Sequence, residues 1–164
     1  RDKKNDWIEK INKIKDEIPD FSFEKLDSAA YAAGPGSYTG ARLAYTFLDT
    51  IKLVTSCDFY AFSNLSALKW NNDSMTPVIK GNKNDYFYEV NGKEMYCKNF
   101  KEIRENYDFI SYSNEIPELN NVKKLEESKV ASNILEMVLD NVGNALESNY
   151  PNYIKELDYK KING

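Results

Sequence analysis

Side-chain types that could do chemistry concentrate in one run, Gly34-Pro35-Gly36-Ser37-Tyr38-Thr39-Gly40, followed by Arg42. Glycines permit a tight turn with positive φ and let another chain or a phosphate approach the backbone. Ser37, Thr39 and the free N–H groups of a helix start could hold an anion. Arg42, in the first turn of such a helix, opposes the helix dipole unless it meets an anion or a carboxylate. The same residues also make an architectural corner between a strand and a helix. Pro35 fixes φ, Gly36 enters a region closed to other residues, Ser37 or Thr39 caps the helix, and Gly40 lets the helix start lie close to a neighbour. The run is not the nucleotide-triphosphate loop, because no Gly-Lys-Ser/Thr follows, and its glycine spacing is not that of the dinucleotide fingerprint. Corner and phosphate cradle both remain open on spacing alone.

Outside this run the sequence mostly excludes. It contains no His, which removes Ser-His-Asp and Cys-His catalysis and every His-ligated metal site. Cys57 and Cys97 stand in no metal or redox spacing and read as reduced thiols of a cytosolic protein. Asp108, Glu115 and Glu118 are scattered, so nothing pairs them as acid and base. Ser37 and Thr39 have no general base nearby in sequence. Net charge is −4 with no basic stripe, so unaided nucleic-acid binding is not expected. Apolar runs are only a few residues long, too short to span a membrane. Lys far outnumbers Arg and Asn is abundant, as in an AT-rich genome, so Asn and Lys clusters carry little information.

The elements that must position the run follow from periodicity. Asp2 to Ile18 reads as an amphipathic helix, with Trp7, Ile11, Ile14 and Ile18 on one narrow stripe and Pro19 ending it. Leu26 to Ala33 leads into the glycine run. A second helix covers about Thr39 to Val54, with Leu43, Ala44, Phe47, Leu48, Ile51 and Val54 on one broad face and Tyr45 and Leu53 outside it. Phe59 to Phe62 reads as a short buried strand, and Ser63 caps a helix over Asn64 to Trp70. Pro77 to Ile79, Tyr86 to Val90 and Glu94 to Cys97 read as strands, the last two joined at Asn91-Gly92. Tyr86 and Tyr88 share a strand face and point to packing. Phe100 to Asn121 is illegible. Val130 to Leu139 is a helix with Ile134, Leu135, Val138 and Leu139 at helical spacing, and an extended tail begins at Tyr150. With 41% hydrophobic residues the 164-residue chain can bury a core. The pattern predicts an α/β lobe over 1–70 and a smaller meander-rich lobe over 71–164.

Gly34 to Leu43, as a string, resembles the signature of the TsaB (YeaZ) family, Gly-Pro-Gly-Ser-aromatic-Thr-Gly-x-Arg after a strand. The similarity runs without gaps to Ser63-Asn64-Leu65-Ser66-Ala67-Leu68, where the family has Ser-Ser-Leu-Glu-Ala-Leu. Pro151-Asn152-Tyr153-Ile154-Lys155 resembles its Pro-x-Tyr-Leu-Arg tail. The resemblance implies an actin-like, RNase H-like (ASKHA) fold, here lacking its first strands and with a small reduced second lobe. It implies a non-catalytic partner of a TsaD-like paralogue in forming threonylcarbamoyladenosine beside the tRNA anticodon, in the cytoplasm. TsaD carries the transfer chemistry and a TsaE-like ATPase the ATP-linked step, so the complex uses ATP while this chain alone binds no cofactor or metal. Contact with tRNA is through the complex only. Because the family pairs with TsaD through its first two helices, the resemblance makes Trp7, Ile11, Ile14, Tyr45, Asp49 and Leu53 candidate partner residues.

Three departures accompany it. The family's first strands, with their Asp-Thr-Ser motif, are expected before Arg1, which is not a start Met. The family's Ala-Lys-Gly is Leu48-Asp49-Thr50 here, and its Asp-Ala-Arg is Gly81-Asn82-Lys83. Two alternatives stand beside the accessory role: an ATP-hydrolysing or phosphoryl-transferring enzyme of the same fold, and a relict homodimer without partner. Phosphoryl transfer needs acidic residues at the phosphates to hold a metal ion. The sequence therefore predicts that the isolated chain turns over neither ATP nor GTP in a phosphate-release assay. Turnover that tracks the protein and vanishes in Asp49→Ala or Asp85→Ala would establish the enzyme alternative.

Overall fold

Ser28–Gly34 (β1) is built almost wholly from small residues, and such a strand can only be held by close packing on both faces, as parallel sheets require. In the computed structural model, which describes residues 7–81, 85–103, 107–112, 116, 122–140 and 145–154, β1 pairs in parallel with Asp58–Ser63 (β2), from Ser28 opposite Asp58 to Gly34 opposite Ser63. Side chains alternate with period two. Tyr31, Ala33, Phe59 and Ala61 face the helix Tyr38–Thr55 (α2), whose Ala44, Tyr45 and Leu48 cover them. Ala30, Ala32, Tyr60 and Phe62 face the other way, into the main core.

That core is a helical layer between two sheets. It comprises Asn64–Lys69 (α3) and Glu127–Asp140 (α4). Leu65, Ala67 and Leu68 of α3 and Val130, Ile134 and Met137 of α4 are buried there against Phe62, Ile79, Phe87 and Ile110. Full burial of each large side chain contributes about 1.5–3 kcal/mol, so this layer dominates cohesion. Ser63 caps α3 by accepting from the Leu65 N–H at 3.1 Å, as its position before the helix predicts. Asn133 Nδ2 donates to the Ala67 carbonyl at 2.8 Å and fixes α4 on α3. Lys69 meets the nearly buried Glu89 carboxylate at 2.8 Å, and loss of either partner would leave an uncompensated charge inside.

The second sheet has the order β5-β4-β3-β6-β7, formed by Thr76–Lys80 (β3), Tyr86–Val90 (β4), Lys93–Cys97 (β5), Phe109–Tyr112 (β6) and Val122–Leu125 (β7). The β3-β4-β5 meander turns at Asn91-Gly92, both with positive φ, as the dipeptide predicts. Beyond it, β6 and β7 run parallel to β3. Its outer face carries a second core of Val78, Tyr86, Cys97, Ile103, Phe109 and Ile116. Tyr86 lies in that core and Tyr88 packs against it, as their shared face predicts.

Trp7–Glu17 (α1) buries no residue fully. It rests on α2 through Trp7, stacked on Phe47 at 4.5 Å, with Phe23 edge-on to Phe47 at 6.0 Å. The predicted start of this helix at Asp2, Asn82 and Lys83 of the Gly81-Asn82-Lys83 departure, Glu115, Glu118 and Lys155 lie outside the described residues.

The structure corrects the helix-face assignments of four residues. Val54, placed on the apolar face of α2, is 75% exposed, and Tyr45, placed outside it, packs on Phe59 at 6.0 Å. On α4, Leu135 and Leu139 point outward while Asn133 and Met137 are buried. Leu and Ile residues on an amphipathic helix outnumber the places its neighbour can cover, and wheel position alone does not rank them. Among the described residues no helix is long and apolar enough to cross a membrane.

Candidate functional site

The glycine run lies where β1 ends and α2 begins. Gly34 has φ +113° and Gly36 φ +149°, both regions that favour glycine, so the predicted turn chemistry holds. Ser37 is the cap, its Oγ accepting from the Gly40 N–H at 3.2 Å, and α2 starts at Tyr38 rather than Thr39. Of the two hydroxyls expected to serve, Ser37 does so. The sequence predicts that Gly40 lets the helix start lie close to a neighbouring strand or a partner chain; no strand of the described residues takes that place, since a Cβ there would meet only Ser37, at 3.4 and 3.5 Å.

What crowds the corner is the chain's own tail. Residues 145–154 form a strap across β1, β2 and α2. Leu146 N donates to the Ala61 carbonyl and Asn152 N to the Ala33 carbonyl, each at 2.8 Å. The Tyr31 hydroxyl donates to the Asn149 carbonyl at 2.6 Å. Burial is the main reason the Tyr31 hydroxyl is pushed well above its usual pKa, with Tyr45 and Tyr153 adding to it. A Cβ on Gly34 would lie 2.9 Å from the Asn152 carbonyl oxygen, so Gly34 is glycine both for its φ and for the strap.

Arg42 has its Nε donating to the Tyr153 hydroxyl at 2.7 Å, with the guanidinium 5.5 Å from the centre of that ring. Tyr38 meets the same ring edge-on at 5.1 Å. Tyr150 lies on Tyr45 at 5.0 Å, and the neighbouring Tyr150 side chain is the main cause of the raised Tyr45 pKa. Asn152 also donates through Nδ2 to Glu94 Oε2 at 2.7 Å, while Ser63 Oγ donates to Glu94 Oε1. The strap thereby ties the corner to β5 of the second sheet.

Behind the corner is a cavity of about 740 Å³, lined by Ala30, Tyr31 and Ala32, by residues 35–39, and by Asn64, Ile79, Lys80, Gly81, Tyr112, Glu127, Val130, Ala131 and Ile134. Three consecutive strand residues point to alternating faces, so a cavity touching all three lies along the edge of β1. Asn64 Nδ2 donates to the Pro35 carbonyl at 2.8 Å. Among the described residues, Asn64 Oδ1 and the Tyr38 hydroxyl are buried without a hydrogen-bond partner. Among them, too, no group of His, Cys, Asp and Glu is placed to hold a metal.

The predicted partner residues fall into two groups. Trp7 stacks on α2 and Ile11 is half-buried, whereas Ile14 is exposed. Leu53 is 81% exposed, Asp49 is half-buried and Tyr45 is held by Phe59 and Tyr150. Exposed Ile8, Ile18, Leu43 and Val54 extend the apolar surface beyond the predicted set. Asp85, weighed as an acid, accepts from the Tyr96 hydroxyl at 2.7 Å. Sequence reasoning did not find the strap contacts, because aromatic residues in an irregular segment have no period to read.

No family model matches the chain, and no curated protein matches it in sequence. Solved structures match it in fold. One is an uncharacterized protein with similarity to peptidase YeaZ from Pseudomonas aeruginosa: 14% identical, TM-score 0.65, covering 90% of this chain and 82% of that one. Another is YeaZ from Pseudomonas aeruginosa: 13% identical, TM-score 0.65, covering 91% of this chain and 84% of that one. The chain has the actin-like α/β fold of these structures.

The corner yields a contrast between two glycines. Gly34→Ala meets both an adverse φ and the strap and is expected to lower stability by about 1–3 kcal/mol in denaturant unfolding. Gly40→Ala, in the helix, is expected to be neutral or stabilising by up to about 1 kcal/mol. Equal effects would contradict the assignment of Gly34 to the strap.

Proposed function

We propose that this chain is a non-catalytic subunit that binds a TsaD-like paralogue and is required for threonylcarbamoyladenosine formation on tRNA, in the cytoplasm. One observation carries the reading: the exposed apolar surface of α1 and α2. α2 presents one inward face and two others. Ala41, Ala44, Leu48 and Ile51 face the sheet, Leu43, Phe47 and Val54 face toward α1, and Thr46 and Leu53 face out. Leu53 and Val54 on α2, Ile8 on α1 and Ile18 just past its end are more than half exposed. Two helices joined by the Trp7–Phe47 stack and carrying uncovered Ile, Leu and Val suit packing against another helix pair.

The YeaZ-like fold and the signature corner support the same reading, since Arg42, Ser37 and Asn64 each make internal contacts at the corner. A chain without His has no Ser-His-Asp or His-zinc route for the peptidase chemistry named for a neighbour. The cavity with its two unpartnered polar atoms favours a second reading, a nucleotide-binding member of the fold. ATP binding to the isolated chain that is lost in Asn64→Ala, measured by calorimetry, would support that reading.

Tyr45, half-buried and packed on Phe59 and Tyr150, is an unsuitable probe of the surface, because Tyr45→Asp would disturb the fold. Leu53→Asp is the clean one. It is expected to leave the unfolding midpoint within a few degrees and to weaken binding of the organism's own TsaD-like protein by about tenfold or more in calorimetric titration. Unchanged affinity would remove α2 from the interface.

A further inference from the structure

The cavity behind the corner, about 740 Å³, has the volume of a small-molecule site, and Ala30, Ala32, Ile79, Val130 and Ile134 are among its apolar walls. In such a space a few convergent polar groups decide what is accepted. Two of them here are fixed and unpaired. Asn64 Nδ2 donates to the Pro35 carbonyl at 2.8 Å, which sets the orientation of the amide and leaves Oδ1 as a buried acceptor without a partner among the described residues. The Tyr38 ring is held edge-on to Tyr153 at 5.1 Å, and its hydroxyl is likewise buried and unpartnered. Polar atoms buried in this way cost stability until something pairs with them. Asn64 Oδ1 can only accept, so it calls for an N–H or O–H donor, while the Tyr38 hydroxyl can donate to a carbonyl.

Charge narrows the choice. Lys80 is the one cation on the described lining, and it holds its ammonium 6.0 Å from the centre of the Tyr86 ring, which belongs to the outer core of the second sheet. Glu127 brings a carboxylate to the lining. A phosphate or carboxylate in the cavity would meet a like charge and no described cation turned toward it, and burying an uncompensated anion is strongly unfavourable. An uncharged ligand meets neither penalty. Tyr31, Tyr38 and Tyr112 on the same walls suit a flat, aromatic body.

We infer that the cavity is a binding site for an uncharged ligand carrying a primary amide, a lactam or a ureide on a flat apolar body. Its N–H donates to Asn64 Oδ1 and its carbonyl accepts from the Tyr38 hydroxyl. The site is independent of the docking reading. It also differs from a nucleotide site, where the phosphates need cations.

The test is titration of this chain with three probes of similar shape, followed through its backbone amide chemical shifts. Benzamide offers donor and acceptor, methyl benzoate lacks the donor, and benzoate carries a charge; ATP is titrated beside them. Benzamide is expected to bind at roughly millimolar concentration, as its small size dictates, with shifts centred on residues 36–39 and Asn64. Methyl benzoate and benzoate are each expected to bind about tenfold more weakly. Asn64→Ala is expected to erase the preference for benzamide over methyl benzoate. Tyr38→Phe, which removes only the hydroxyl, is expected to weaken benzamide about threefold or more without lowering the unfolding midpoint, since that hydroxyl has no partner within the described chain to lose. A lowered midpoint with unchanged benzamide binding would contradict the hydroxyl's part in the site. Equal binding of benzamide and methyl benzoate to wild type, tighter binding of benzoate or ATP than of benzamide, or no benzamide shift up to its solubility would each overturn the inference.

Discussion

Gly34 and the Asn152 carbonyl share a space that admits no side chain, and much of the molecule is arranged around that approach. β1 must end there, turn with positive φ, and hand the backbone to α2 at Ser37. The strap must pass at the same point to reach Ala33, Glu94 and Arg42. A Cβ at 2.9 Å from a backbone oxygen cannot be relieved by a rotamer change, so the corner and the strap have to move together or not at all. That coupling makes the glycine run an architectural element here, with its chemistry turned inward.

The same coupling sets the surface of α2. One face is consumed by the sheet and one flank by the strap, while α1 meets the other flank at Phe47 and leaves Leu43, Val54 and the outward Leu53 exposed. The helical layer of α3 and α4 plays the complementary part, burying Phe62, Leu65 and Leu68 so that the two sheets hold fixed positions. Glu89 and Glu94, directly opposite each other on β4 and β5, would repel if left alone. Lys69 satisfies one, and Ser63 with Asn152 satisfies the other, so the contact between α3, the strap and the second sheet is polar and directional.

Local rules made several of these features legible in the sequence. Ser63 before a Leu-rich turn, Asn91-Gly92 between alternating strands, and Gly34 to Ser37 before an apolar periodic run each obey chemistry confined to a few residues, and each appears as expected. Helix faces were less legible: Val54 and Tyr45 exchange the roles that a helical wheel gives them, because the strap covers the flank of Tyr45 while α1 reaches the other flank at Phe47 and leaves Val54 exposed. β6 and β7 escaped notice because short parallel strands lack both alternation and a hairpin turn. The cavity and the strap are products of tertiary contacts between residues more than a hundred positions apart, such as Tyr31 with Asn149, and no local pattern encodes them.

The accessory role is tested most directly by nucleoside analysis of tRNA after reaction with the organism's TsaD-like and TsaE-like proteins, ATP and the threonylcarbamoyl donor, with and without this chain. The account predicts threonylcarbamoyladenosine only when the chain is present. Equal product in its absence would contradict it.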